Sequence, residues 1–172
     1  MKSLAEVKYP LRTKIDRRAC GWAKRILWAS RLLYLVAFHG KSANGYSMAL
    51  TILFVDDEIE MGYMVTNLFK HHGHNIFTAE NTDVALELAD DIRFDVMVLD
   101  VNLGGDDGMK LMTFMHRNHP DVPIILYTGT HHDDAVVRKA LETGAHQYMS
   151  KGGPLDELVK AVEAAAKKSR GA

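Results

Sequence analysis

The chain has 172 residues, 47% of them apolar and 25% charged, which is ordinary for a soluble globular protein and enough for one domain plus an extension. A single cysteine, Cys20, excludes an intrachain disulfide and a cysteine-based zinc cluster. The net charge of −1 hides a division. Ten of the 21 Lys/Arg but only two of the 22 Asp/Glu fall in residues 1–48, leaving +8 there and −9 over residues 49–172, so the two stretches are read separately.

Residues 1–48 read as a basic, partly amphipathic helical extension. Basic residues dominate up to Arg25, and the run ILWASRLLYLVAF (26–38) follows with Arg31 inside it. That run is short and interrupted for a membrane span. As a helix it would expose Trp22, Trp28, Leu32, Leu33, Tyr34 and Phe38, which ask for a membrane surface or a partner to cover them. Membrane contact is expected only through this stretch, and no nucleic-acid recognition fold can be built from it. Met48 stands two residues before the next element, and a native start there is the alternative to a functional extension.

Residues 49–172 alternate short apolar runs with helical patterns. The runs are LTILFV (50–55), NIFTA (75–79), DVMVL (95–99), VPIILYT (122–128) and HQYMS (146–150). Three are nearly continuous in apolar residues, as in strands covered by helices on both faces. Between them, residues 58–72 place Met61, Met64, Val65 and Leu68 on one helical face before Gly73. Residues 82–91 carry Val84, Ala85 and Leu88, with Asn81 or Thr82 as cap; residues 107–118 carry Leu111, Met112 and Met115. Residues 133–143 carry Val136, Val137, Ala140 and Leu141 ahead of Gly144. The last helix begins near Pro154, with Leu155, Leu158, Val159 and Val162 at helical spacing. Five βα units predict a doubly wound α/β domain with a five-stranded parallel sheet, whose site lies beyond the carboxyl ends of the strands.

Chemistry collects at those ends. Asp56, Asp57 and Glu58 follow the first run, Asp100 the third, and Lys151 the fifth, while Thr128 ends the fourth. Carboxylates crowded together repel, and a hard divalent cation with oxygen ligands relieves this; Mg²⁺ in such a pocket keeps open positions for phosphate oxygens. Lys151 would supply a point charge to a phosphoryl group and Thr128 a hydrogen bond, and a carboxylate can act as nucleophile to form an aspartyl phosphate.

This pattern, from Asp56–Asp57 through Asp100 with Gly108 eight residues on, Thr128–Gly129 and Lys151, resembles the response-regulator receiver domains of two-component signalling over residues ~50–168. The resemblance implies a flavodoxin-like strand order 2-1-3-4-5. It implies that Asp100 is the phosphoacceptor, that Asp56, Asp57, Asp100 and the backbone carbonyl of Asn102 hold Mg²⁺, that Lys151 pairs with the phosphoryl group, and that Thr128 and Tyr148 form the switch. The partners so implied are a sensor histidine kinase or histidine phosphotransfer protein, and a downstream protein on the face of the fourth helix, fifth strand and fifth helix. No direct DNA binding is expected. A cytoplasmic single-domain response regulator results, since only KKSRGA follows the pattern; it would catalyse only its own phosphorylation and dephosphorylation. Two departures stand out. Gly104 and Gly152 occupy positions where receivers commonly have proline, and Gly104 is expected to loosen the acceptor loop.

Plainer readings compete at several positions. Asp57 and Glu58 alone could be helix caps, Tyr148 ordinary edge packing, and HHGH (71–74) a solvated helix end. His131 and His132 read as loop residues at the rim, and Met61, Met64, Met112 and Met115 as core. Two other functions share the fold: a phosphate-independent interaction module, and a Mg²⁺-dependent phosphohydrolase. The second is disfavoured because Asn102 stands where its general-acid aspartate would be.

Overall fold

A computed structural model of the chain describes residues 49–129 and 134–170; the amino-terminal extension and the segment holding Thr130, His131 and His132 lie outside the described residues. Five strands, β1 (Thr51–Val55), β2 (Asn75–Ala79), β3 (Val96–Leu99), β4 (Ile124–Thr128) and β5 (Gln147–Ser150), form one parallel sheet. They alternate with α1 (Ile59–His71), α2 (Thr82–Asp91), α3 (Gly108–Asn118), α4 (Asp134–Thr143) and α5 (Leu155–Arg170). The order in the sheet is β2-β1-β3-β4-β5, as the resemblance implied. This order puts β1, β3, β4 and β5 side by side, and theirs are the strand ends that carry the polar residues.

Apolar residues in β1, β3 and β4 divide between two cores. Leu53, Val55, Met97, Leu99 and Leu126 pack with Leu111, Met112 and Met115 of α3 and Ala140 of α4. Ile52, Phe54, Val96, Val98 and Ile125 pack on the other face with Val65 and Phe69 of α1 and Leu158, Val159 and Val162 of α5. Each large aliphatic side chain so buried contributes roughly 1.5–3 kcal/mol, which is what fixes the strand ends relative to one another.

Local chemistry starts and stops the helices. The Asn81 side chain accepts from Val84 N at 3.0 Å and that of Asp107 from Met109 N at 3.1 Å, each satisfying an orphan donor of the first turn. Gly73 (φ +80°) and Gly144 (φ +127°) end α1 and α4 in positive-φ conformations that side chains resist.

Four expectations need correction. Met64 is 50% exposed and Leu141 44%; each sits at the margin of its apolar stripe, and Phe69 supplies the burial that Met64 does not. Glu58 occupies the N-cap position of α1 but makes no side-chain cap bond, because its carboxylate is engaged elsewhere. His74 is buried rather than solvated: Nδ1 accepts from Leu50 N at 3.3 Å, and Nε2 faces Glu163 Oε1 at 3.3 Å. Finally, Gly104 does more than loosen a loop, as described below.

Candidate functional site

Main-chain hydrogen bonds extend the sheet into the site. Asp56 N donates to Ala79 O (3.0 Å), Asp100 N to Val55 O (2.9 Å) and Lys151 N to Thr128 O (2.9 Å). Each bond fixes the first residue past a strand against its neighbour. Asp56 and Asp100 then fold back in the same way. Oδ1 of Asp56 accepts from Glu58 N at 3.0 Å and Oδ1 of Asp100 from Asn102 N at 3.0 Å, the turn that aspartate favours. That leaves Oδ2 of both to the same partner. Lys151 Nζ lies 2.6 Å from Asp100 Oδ2, 2.8 Å from Asp56 Oδ2 and 2.8 Å from Glu58 Oε1. Nζ donates a hydrogen bond to Glu58 Oε1 and forms ion pairs with Asp100 and Asp56, although buried Asp56 Oδ2 accepts no hydrogen bond among the described residues.

Burial makes these contacts consequential. The side chain of Lys151 is 7% exposed, and those of Asp56 and Asp100 are 1% and 5%. Burial works against the ammonium, but the carboxylates of Asp100, Asp56 and Glu58 outweigh it and hold Lys151 above its ordinary range. Burial pushes the Asp56 carboxyl above its usual value, and the bond from Lys151 offsets this only in part. Lys151 is therefore a fixed cation, and Asp56 is the carboxylate that gains most from a further positive charge.

Asp57 completes the group from the solvent side. One carboxylate oxygen from each of Asp56, Asp57 and Asp100 lies within 4.8 Å of the others, with Asp57 exposed. At that separation two ionised carboxylates repel by about 3 kcal/mol in an effective dielectric near 20, and four acids face one ammonium. The donor set is hard oxygen, anionic in excess and open on one side, which fits Mg²⁺.

The loop after Asp100 is shaped around these groups. Gly104 has φ +55°, and a Cβ there would lie 2.8 Å from Asp57 Oδ2. Proline, locked near −65°, cannot adopt this positive-φ conformation, which glycine takes without strain. The loop contains a short antiparallel pair, Asn102–Leu103 with Asp106–Asp107. Gly108 follows, in contact range of the Asp100 and Val101 carbonyls.

The expected site residues thus fall at one edge. Asp56, Asp57, Asp100 and Lys151 come together directly. Thr128, fully buried, sits at the adjoining strand end. Asn102 reaches Asp100 through its N–H. Tyr148 is half-buried on β5 and packs against the core beneath α3 and α4. Two participants escaped the sequence reading. Glu58 is the third carboxylate on Lys151; the third acid of VDDE was its only signal. Tyr127 is 2% exposed and its buried hydroxyl has no hydrogen-bond partner among the described residues; its pKa is raised by burial, with the Lys151 charge acting in the opposite direction. A tyrosine in the apolar run IILYT gave no sign of this.

A doubly wound sheet with acids and a buried lysine at its carboxyl edge defines a receiver-type fold. The family model for the response regulator receiver domain matches residues 52–163, and the chain belongs to that family. Among curated relatives it is 32% identical over 120 residues to the nitrogen assimilation regulatory protein NtrX of Azorhizobium caulinodans, covering 69% of this chain and 26% of the relative. It is 34% identical over 116 residues to the phosphate regulon transcriptional regulatory protein PhoB of Pseudomonas aeruginosa, covering 66% and 50%. The receiver domain of NtrX from Brucella abortus superimposes with a TM-score of 0.63 at 30% identity, covering 67% of this chain and 98% of that one. A CheY-like receiver from Methanospirillum hungatei shares the fold, with a TM-score of 0.67 at 20% identity. The chain spans only a quarter to a half of the length of these curated relatives. Among the described residues no helix is long and apolar enough to cross a membrane.

Proposed function

We propose that Asp100 accepts a phosphoryl group from a phosphohistidine of a sensor kinase or phosphotransfer protein. A carboxylate oxygen of Asp100 bonds to phosphorus as the P–N bond breaks, and the departing imidazole keeps the electron pair and takes a proton. The observation that carries this reading is the shared hold of Lys151 on Asp100 and Asp56, with Asp57 beside them. Asp56, Asp57, Asp100 and the carbonyl of Asn102 would hold Mg²⁺. When bound, the ion neutralises charge on the transferring group. Lys151 orients Asp100 and then pairs with a phosphoryl oxygen.

The output follows as a population shift. Thr128 donates to the phosphoryl group, Tyr148 repacks, and the face of α4, β5 and α5 changes its affinity for a downstream protein, or the phosphoryl group passes on to a histidine. We assign the described residues to a receiver that works in the cytoplasm through protein contacts and catalyses only its own phosphorylation and dephosphorylation. PhoB and its like are named as transcriptional regulators, and the chain covers only part of each; the proposal of protein rather than DNA contact is confined to the described residues.

Incubation with Mg²⁺ and a small acyl-phosphate donor, followed by intact mass measurement, tests the reading. A gain of one phosphoryl group, lost in Asp100→Asn, is expected. No gain, with beryllofluoride leaving Tyr148 unperturbed, favours a phosphate-independent interaction module. Steady turnover of general phosphate esters favours a phosphohydrolase.

A further inference from the structure

A groove of about 740 Å³ runs between α3 and α4, and none of the site carboxylates or Lys151 is among the described residues lining it. Its apolar centre is Phe114, 48% exposed, beside the half-buried Met109, on a helix whose Leu111, Met112 and Met115 are buried. A single exposed aromatic is ordinary on a protein surface; what sets this one apart is that it lies in a groove with Met109 and three cationic side chains.

The polar residues along the groove make few demands on an occupant. Thr113 Oγ1 donates to Met109 O at 2.8 Å, Asn118 Nδ2 to Phe114 O at 2.8 Å and Thr143 Oγ1 to Lys139 O at 2.6 Å. Each has turned its donor onto the carbonyl four residues earlier in its own helix. An apolar side chain can lie across the two threonines without stranding their hydroxyl donors, while Asn118 at the groove's end keeps its Oδ1 and second N–H for solvent or an occupant.

The charge around the groove runs against that of the domain. Residues 49–172 carry −9, with eleven Lys/Arg against twenty Asp/Glu. Lys110, Arg117 and Lys139 nevertheless line this groove, and among the described residues no acid does. Lys110 has one exposed partner, Asp107 at 3.2 Å; Arg117 and Lys139 have no ion-pair partner among the described residues. An acidic ligand is repelled by most of the domain and attracted here, so charge selects position as well as partner. Met109 to Asn118 spans roughly 15 Å of helix axis, room for about three turns of a docked helix. The basic stretch 1–48 of this chain has the wrong sign to fill it. A phosphate backbone would use the cations but leave Phe114 and Met109 uncovered.

We propose that the α3–α4 groove docks an acidic amphipathic helix of a partner protein, with aliphatic or aromatic anchors over Phe114 and carboxylates toward Lys110, Arg117 and Lys139. This surface is separate from the α4–β5–α5 face and does not depend on phosphate chemistry.

Selection of a random peptide library on the immobilised full chain tests it. Enriched peptides should be acidic, with apolar residues at helical spacing. They should bind the Arg117→Glu/Lys139→Glu variant at least about tenfold more weakly, a loss of about 1.4 kcal/mol, with a comparable loss for Phe114→Ala and weakening by salt. Both variants change exposed positions, so far-ultraviolet circular dichroism and Asp100 phosphorylation should be unchanged. No enriched peptide family, non-acidic families, or families that bind the variants equally well would overturn the proposal. So would a short duplex DNA whose binding the charge reversal abolishes, which assigns the patch to nucleic acid. Self-association in sedimentation that the same variants abolish assigns it to a second copy of this chain.

Discussion

Gly108 rests on the main chain of Asp100. A methyl group added at Gly108 would lie 2.5 Å from the Asp100 carbonyl oxygen, 2.7 Å from that of Val101 and 2.9 Å from Val101 Cα. All three are backbone atoms and cannot turn aside, so the start of α3 is seated on the proposed acceptor with no room for a side chain. Gly108→Ala should displace α3 or the acceptor loop, at a cost of about 1–3 kcal/mol. A lowered urea midpoint together with slower phosphorylation of Asp100 is the expected result; a variant unchanged in both would contradict this packing.

Asp56 should carry a stability cost at neutral pH. Burial raises its pKa in the folded state, so the native protein binds this proton more tightly than the unfolded chain does. Stability from that proton is full below the unfolded carboxyl value of about 3.9 and is lost as pH rises through the higher folded value. Asp56→Asn should therefore stabilise the protein near pH 7, by about 0.5–2 kcal/mol as other relieved functional sites do, while impairing phosphorylation. The gain should shrink as pH falls toward 4. Thermal melts of both proteins across that range check the sign.

Tyr127 presents a hydroxyl that is buried and unpartnered among the described residues. Removing such a group returns its desolvation cost without breaking a bond. Tyr127→Phe should be neutral or stabilising by up to about 1 kcal/mol in denaturant titration. Destabilisation beyond that range would mean that the hydroxyl holds a partner, with the charged Lys151–Asp56 neighbourhood the first place to seek it.

His74 links Leu50, just before β1, to Glu163 of α5. Burial lowers its pKa, with Glu163 acting in the opposite direction. A depressed folded value means that stability is present above the unfolded histidine value, about 6.5, and declines as pH falls through the folded one. Protonation also removes the acceptor that Leu50 N uses. His74→Leu should be less stable than wild type at pH 8, and its melting temperature should fall less between pH 7 and pH 5.

Thr128 separates chemistry from signalling. Fully buried at the end of β4, it is not among the carboxylate and ammonium groups that gather around Lys151, so Thr128→Ala should still take phosphate on Asp100. Partner affinity should then respond less to phosphorylation. Calorimetry with phosphorylated wild type and variant measures this, and equal affinities would remove Thr128 from the switch.

The site was largely legible in the sequence because parallel strands buried on both faces announce where they stop. In VMVLD and LTILFVD the change from apolar to acidic residues marks the sheet edge, and βα alternation implies the strand order that gathers the acids. What escaped depends on packing across elements. Met64 and Phe69 are both apolar on α1, and which of them is buried is decided by packing across elements, Phe69 joining the core formed with β1, β3, β4 and α5. HHGH looks polar, yet His74 is drawn inside by Leu50 N and Glu163, the latter 89 residues away. Glu58 looked like a cap because nothing local indicates that Lys151, 93 residues on, takes its carboxylate. Gly104 read as slack for a similar reason: its φ of +55° and its approach to Asp57, on another strand end, arise only in the folded loop.

The register of β1 has a consequence for synthesis. Its residues pair on one side with residues 24 positions later, as Thr51 does with Asn75, and on the other with residues 44 positions later, as Ile52 does with Val96. Leaving the ribosome, this strand must wait with its apolar surface uncovered until both neighbours emerge. Nascent chains stalled before residue 96 should therefore be clients of holding chaperones, and release should coincide with the arrival of β3.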